Sequence, residues 1–200
     1  MKRASSLSCG LAGLYLLALA LPDGAALAQT AAPKASNAQA PAPVPTEPNT
    51  TIASYGDWVL RCQRIDLAGK TTRVCEVAET IQVEGQTSPI AQLAIGRMAP
   101  SDPLRATAVL PTAVSFPSNV RISEAKNGAP LSLEWRRCLP GGCFADSPVK
   151  DDLLARWRGQ TDAGQLTFKD AAGRDQSLPL SFRGLAQALD ALAKESAASR

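Results

Sequence analysis

Short apolar runs bounded by Gly, Pro, Asn and Asp dominate the chain from residue 55 onward. Leu131, Leu133 and Trp135 alternate with polar neighbours, which is the period of two expected for a strand with one buried face. We predict strands at residues 57–63, 72–80, 90–97, 105–110, 120–125, 131–137, 165–169 and 176–180. Their spacing of roughly ten residues predicts a mainly β domain, an antiparallel β-sandwich or a barrel-like fold.

One short internal helix interrupts this pattern. Ser147 is a good N-cap residue, and Pro148 is well tolerated in a first helical turn. Leu153, Leu154 and Trp157 supply the apolar side of the helix.

A C-terminal helix is predicted from about residue 182 to 194, because Leu185, Leu189 and Leu192 fall on one face. We expect this stripe to pack in the core; the alternative is a surface that binds a partner.

The first 28 residues have the layout of a secretory signal peptide. Lys2 and Arg3 precede an apolar run at 11–21, and Ala26 and Ala28 provide small residues for cleavage before Gln29. A retained anchor is disfavoured, because a transmembrane helix needs about 20 apolar residues. The chain is therefore predicted to be exported to an oxidising compartment, the periplasm or envelope of a bacterium.

Residues 29–51 form a Pro/Ala-rich linker, with prolines at 33, 41, 43, 45 and 48. The segment has too little apolar surface to offset the entropy of ordering, so we expect disorder. It is either a spacer or a passive tail. The folded domain is placed at 52–194 and a disordered tail at 195–200.

The mature chain carries four cysteines, and an even number in an exported domain indicates structural disulfides. A predicted hairpin sets Cys62 opposite Cys75, and a Leu-Pro-Gly-Gly turn brings Cys138 close to Cys143. A zinc site is disfavoured because only one pair has a spacing close to that of metal ligands. A redox-active pair is disfavoured because neither pair reads Cys-x-x-Cys.

The chain contains no histidine, which removes Ser-His-Asp and Cys-His nucleophile activation and His-based metal sites. Ser-x-x-Lys occurs at 123–126 and 147–150, without the companion motifs of penicillin-binding enzymes. Asp151 and Asp152 are adjacent and do not face each other on a helix. We therefore predict no catalytic residue, no metal and no cofactor.

The net charge is mild, +3 for the whole chain and +2 once Lys2, Arg3 and Asp23 leave with the signal peptide. Nucleic-acid binders concentrate basic residues, and single-strand binders also need aromatic stacking platforms. Aromatic residues make up 4% of this chain, so no nucleic-acid partner is expected. The mature region has no apolar segment long enough to span a bilayer.

Four arginines, Arg136, Arg137, Arg156 and Arg158, lie on a predicted strand and the predicted internal helix. If those elements lie together, the arginines form an exposed basic cluster for an anionic lipid, glycan or protein. The alternative, which we favour, is that they are ordinary solvated side chains whose stems cover apolar surface.

Several motifs in order resemble the invasion-associated locus B (IalB) family over residues 55–192. They are the Gly-Asp-Trp run at 56–58, Cys62, Cys75, the Cys-Leu-Pro-Gly-Gly-Cys-Phe-Ala run at 138–145, and Leu-Pro-Leu-Ser-Phe-Arg-Gly-Leu-Ala-Gln-Ala-Leu at 178–189. The resemblance implies a periplasmic or envelope-associated, non-enzymatic protein, and it supplies no catalytic or binding residues.

The leading functional hypothesis is a non-catalytic binding or interaction module whose envelope or protein ligand is unknown. One alternative is a carboxylate-dependent periplasmic hydrolase acting on the cell wall, which predicts two carboxylates about 5–9.5 Å apart in a cleft. The other is a surface-exposed invasion or adhesion factor.

Overall fold

The computed structural model describes residues 49–198, except residues 68, 100, 126 and 127. The predicted signal peptide and the predicted linker up to residue 48 lie outside the described residues. Thr50 and Thr51, which the sequence placed in the linker, are the first two residues of strand β1.

Ten strands and two helices follow one another along the described residues. The strands are β1 Thr50–Tyr55, β2 Trp58–Leu67, β3 Lys70–Ile81, β4 Ala91–Gly96, β5 Arg105–Leu110, β6 Val120–Ser123, β7 Leu131–Leu139, β8 Gly142–Pro148, β9 Gly164–Lys169 and β10 Asp175–Leu180. The helices are α1 Asp151–Arg158, between β8 and β9, and α2 Leu185–Ala198, after β10.

All ten strands form one antiparallel sheet in the order β1-β2-β3-β4-β5-β8-β7-β6-β9-β10. The prediction of a mainly β, antiparallel domain with a short internal helix and a C-terminal helix is confirmed. The sheet does not close into a barrel, because β1 and β10 remain at its two edges. A register shift between Trp135 and Arg137 interrupts the β7–β8 ladder, and such bulges bend the strand that carries them.

The long β2–β3 hairpin shows how the sequence pattern builds the core. Trp58, Leu60 and Cys62 alternate with more exposed residues, so they point to one face of the sheet and are buried there. Cys62 is directly opposite Cys75 in the register, and the two are joined by a disulfide. The tight β7–β8 hairpin places Cys138 opposite Cys143, which form the second disulfide.

Both helices bury their apolar sides. Helix α2 packs against β1, β2 and β3 with Leu185, Leu189 and Leu192 buried, as the core-packing interpretation expected. In helix α1, Leu153, Leu154 and Trp157 are buried, and the Trp157 ring lies 5.8 Å from that of Phe182. Neither helix within residues 49–198 has the length and apolar character needed to cross a membrane.

Two predicted helix starts are wrong. Ser147 is not an N-cap: it pairs with Ala106 in the β5–β8 ladder, and α1 begins at Asp151 after Lys150, which makes no side-chain cap. Strand pairing therefore overrides the local capping preference of Ser147. Helix α2 begins at Leu185 instead of Phe182, since Gly184 has φ +90°, outside the range of a right-handed helix.

Candidate functional site

A groove of about 660 Å³ crosses the open face of the sheet from β2 to β7, on the side opposite the buried face. This volume falls within the usual range of ligand sites, roughly 300–1,000 Å³. The lining residues are Arg61, Val74, Cys75, Glu76, Gln92, Ala94, Gly96, Arg97, Met98, Arg105, Thr107, Val109, Arg136, Arg137, Phe144 and Asp146.

The sheet register explains why residues so far apart in sequence share this surface. Gly96 pairs with Glu76 on one side and with Arg105 on the other, and Thr107 pairs with Ala94 and Asp146. Directly paired residues point to the same face of an antiparallel sheet. Successive rows of paired residues therefore line one groove.

Small residues form the floor in the middle of the groove. Ala94 is buried and Thr107 is half-buried, and Gly96 has no side chain at all. A Cβ atom added at Gly96 would lie 2.8 Å from the Cβ of Glu76 and 3.1 Å from the carbonyl oxygen of Cys75. The close approach of β3 and β4 therefore requires glycine here, and the floor stays free of side chains at this point.

Charge dominates the walls of the groove, which hold five arginines and two carboxylates. The Nε of Arg61 donates to Glu76 at 2.6 Å. Arg105 and Arg136 both donate to the same oxygen of Asp146, the latter at 3.0 Å. Both carboxylates of the groove are thus held by guanidinium groups.

The electrostatic state of Asp146 follows from these contacts. Burial opposes ionisation of the carboxyl, but the hydrogen bonds from Arg105 and Arg136 outweigh burial and hold its pKa below the ordinary value. Asp146 is therefore a fixed anion that orients two arginines, and it does not have the character of a general acid.

Two other arginines of the groove have no carboxylate partner among the described residues. The Nε of Arg97 donates to the main-chain carbonyl of Asp102 at 2.8 Å. The Arg137 guanidinium lies 5.8 Å from the centre of the Phe144 ring, a cation–π geometry.

The four arginines singled out from sequence lie in two places. Arg136 and Arg137 line the groove, whereas Arg156 and Arg158 on α1 are not among its lining residues. Arg156 contacts Glu124 at 3.2 Å, and Arg158 contacts Asp190 at 2.6 Å.

Sequence reasoning missed the other three groove arginines, Arg61, Arg97 and Arg105. They lie on β2, just after β4 and at the start of β5. Only the pairing of these strands brings them together, and no local motif connects them.

The cysteines offer no metal site within the described residues. The one group of possible metal ligands there is Cys62, Cys75 and Glu195. Both sulfur atoms are bonded to each other in the disulfide, so neither is a thiolate ligand.

A second polar cluster lies where β3 meets the segment after β10. Glu79 is the one buried charged residue among those described, and burial raises its pKa to about 7, partly opposed by a hydrogen bond from the Ser181 main chain. Hydrogen bonds from Arg183 and Ser181 lower the pKa of Asp57. Opposite shifts in two carboxyls are typical of acid–base pairs. Glu79, however, is 6% exposed and is held by Ser181, which is the arrangement of a structural junction.

Comparisons with known proteins agree with the architecture. A family model described as "Invasion associated locus B (IalB) protein" matches residues 58–193. The crystal structure of invasion associated protein B from Bartonella henselae has a TM-score of 0.62 and 19% sequence identity, covering 75% of this chain and 99% of that chain. At this identity the likeness shows a shared fold. No curated protein matches the chain.

Proposed function

We propose a function for this chain, which belongs to the invasion associated locus B (IalB) protein family. It is an exported module that binds a ligand and catalyses no reaction. The groove on the open sheet face is its binding surface. The observation that carries this proposal is the chemistry of the groove. Its arginines supply fixed hydrogen-bond donors, and both of its carboxylates are already held in ion pairs.

Export is supported by two independent features. The N-terminal sequence has the three regions of a secretory signal peptide. Two disulfides join all four cysteines of the mature chain, and disulfides persist in the periplasm and outside the cell but are rare in the cytosol. The proposed location is therefore the periplasm or the cell envelope.

A binding role is favoured over hydrolysis by the state of the carboxyl groups. A carboxylate-dependent hydrolase needs a protonated acid and a free carboxylate, both reachable by substrate. Glu76 and Asp146 are reachable but engaged by arginines. Glu79 has the raised pKa of an acid, yet it is buried.

The first experiment addresses export. The full chain is produced in a bacterium, the cells are fractionated, and the mature protein is analysed by mass spectrometry with thiol counting. We expect a mature N-terminus at Gln29 in the periplasmic or envelope fraction and no free thiol. Unprocessed chain with free thiols in the cytoplasm contradicts the proposal. Protease shaving of intact cells separates the adhesin alternative, because only a surface-exposed chain is cleaved.

The second experiment addresses the groove. A photo-crosslinking amino acid replaces Thr107 on the groove floor or, as a control, Ala172 in the exposed β9–β10 turn. We expect discrete adducts with envelope components from position 107 and none from position 172. Turnover of peptidoglycan fragments by the purified domain, lost in a Glu79→Gln or Glu76→Gln variant, would instead establish the hydrolase.

A further inference from the structure

The two groove arginines that have no carboxylate partner among the described residues, Arg97 and Arg137, lie at opposite ends of the groove. Arg97 follows the last residue of β4, whereas Arg137 lies three strands away on β7, in the register row of Gln92, Val109 and Phe144. Gln92 precedes Arg97 by five positions on the chain. With roughly 3.4 Å per residue and about 4.8 Å per strand, the two Cα positions are on the order of 20 Å apart. Because Arg97 is held at the Asp102 carbonyl and Arg137 at the Phe144 ring, a ligand that contacts both in these positions is an extended one.

The other three arginines show which anion suits this surface. Arg61 binds Glu76, and Arg105 and Arg136 converge on Asp146. In each case the acceptor is one carboxylate oxygen, and such charge-assisted hydrogen bonds are stronger than neutral ones. The groove thus already holds two carboxylates on arginines, and Arg97 and Arg137 add two guanidinium groups that no carboxylate among the described residues contacts.

Apolar surface lies between the two ends of the groove that carry Arg97 and Arg137. Val109 and Phe144 line the groove beside Ala94, and Met98 is 65% exposed at its margin. Methionine adapts its shape to varied apolar groups. A ligand that fills this groove therefore needs apolar side chains as well as anionic ones, which a sulfated glycan lacks.

Nucleic acid and a bilayer surface fit less well. Phe144 is the one aromatic residue among the described residues that line the groove, so the groove lacks the several rings on which successive bases stack. The headgroups of a bilayer lie in one plane, and apolar lipid groups lie below them. A bilayer surface therefore does not place apolar groups on the groove floor between the arginines. The strands below are interior to the sheet, so their main-chain groups are paired and a peptide is held here by side chains.

We infer that the groove binds an extended acidic segment of another polypeptide, with its carboxylates on Arg97 and Arg137 and its apolar side chains on the floor between them. The inference rests on the proposed function and names its ligand class. Six residues of extended chain cover roughly 20 Å, so a segment of six to ten residues with acids near both ends suffices.

The test uses the purified mature protein and a labelled peptide of about ten residues that carries glutamates separated by leucines. Its control replaces every glutamate with glutamine. Fluorescence anisotropy at low and at physiological salt gives the affinities. We expect the glutamate peptide to bind at least about tenfold more tightly than the glutamine peptide, with affinity falling as salt rises.

Matched variants locate the binding. The Arg97→Gln/Arg137→Gln variant is expected to bind about tenfold more weakly or worse. The Arg156→Gln/Arg158→Gln variant removes the same charge outside the groove and is expected to stay within about twofold of the wild type. Urea unfolding confirms that both variants are folded. Equal losses in the two variants overturn the inference, since net charge alone then explains binding.

Other ligand classes are tested in the same assay. Heparin, a single-stranded oligonucleotide or anionic vesicles that displace the peptide and bind more tightly at equal salt also overturn the inference. If the protein is exported, catalyses no reaction and crosslinks through position 107 but does not bind the acidic peptide, the inferred ligand class is wrong and the proposed function stands. Turnover, or retention in the cytoplasm, refutes the proposed function itself.

Discussion

Glu79 and Ser181 are 102 positions apart in the chain, yet both carboxylate oxygens of Glu79 accept the main-chain N–H of Ser181, at 2.9 and 3.2 Å. The indole Nε1 of Trp58 donates to the carbonyl of the same Ser181 at 3.0 Å. The Ser181 hydroxyl donates to Asp57 at 2.7 Å. Three side chains of the β2–β3 region thus hold the residue that follows β10, and this junction positions the start of α2.

The first prediction concerns the pH dependence of stability. Burial raises the pKa of Glu79 from 4.5 to about 7 in the folded state. The stabilisation from protonated Glu79 is therefore full below about pH 4.5 and is lost as the pH rises through about 7. A Glu79→Gln variant has no carboxyl group at this position and does not lose stability in this way. The free energy of unfolding of the variant minus that of the wild type should therefore increase by at most about 3 kcal/mol between pH 4.5 and 8.

Urea unfolding of both proteins across this pH range measures the effect. Glu84→Gln is the control, because Glu84 is exposed and its substitution should change the free energy of unfolding by less than about 0.5 kcal/mol at each pH. A constant difference between wild type and the Glu79→Gln variant across the range would falsify the assigned titration of Glu79.

The second prediction concerns the Trp58 indole. Trp58 is fully buried, and a Trp58→Phe variant keeps most of the ring volume but leaves the Ser181 carbonyl without its donor. We expect a loss of about 1–3 kcal/mol in the free energy of unfolding. Trp135→Phe is the matched control, because its Nε1 donates over a longer distance, 3.3 Å, to the Ser118 hydroxyl and the residue is half-buried. Equal losses in the two variants contradict this explanation.

Several parts of the fold follow from the sequence because their determinants are local. The disulfides join cysteines separated by 13 and 5 positions, so hairpin geometry alone selects the pairing. Strand β8 was missed because Gly142–Pro148 lacks β-branched residues and contains glycine and proline. Its extended shape comes from pairing with β7 across a tight turn and with β5, which is distant in sequence.

The residues of the candidate site likewise divide into those that the sequence singled out and those that only strand pairing brings together. Arg136 and Arg137 are conspicuous because they are adjacent, and both line the groove. Arg61 and Arg105 are 44 positions apart, as their numbers in the chain show. They share the groove because β2, β3, β4 and β5 pair in a fixed register, which side-chain patterns on one strand do not encode.

The third prediction ranks the two disulfides. Bridging Cys62 to Cys75 closes the longer loop, and the chain-entropy model assigns it about 3 kcal/mol, against about 2 kcal/mol for Cys138–Cys143. Replacing each pair with alanine should therefore destabilise the protein more at the first position. Cys62 and Cys75 are also both buried, whereas Cys138 is exposed, which adds to the difference. Thermal unfolding of the two double variants gives the order, and the reverse order contradicts it.

The fourth prediction concerns the turn that leads into α2. Gly184 has φ +90°, and a Cβ atom added there would collide with the main-chain carbonyl of Tyr55 and lie 2.9 Å from the main-chain nitrogen of Gly56. Backbone atoms of β1 and its turn cannot yield without breaking the junction around Ser181. Gly184→Ala should therefore cost more than about 3 kcal/mol in the free energy of unfolding, combining strain with disrupted packing.

Gly173 provides the control that separates strain from collision. It has a similar φ of +77°, but a Cβ added there meets no atom within 4 Å. Gly173→Ala therefore pays only for the left-handed backbone, about 1–2 kcal/mol. Urea unfolding of the two variants at one pH measures the difference. If both lose the same free energy, the close approach of Gly184 to β1 contributes nothing, and the glycine is explained by backbone conformation alone. If Gly184→Ala loses clearly more, the contact between the α2 turn and β1 is a structural requirement of this fold.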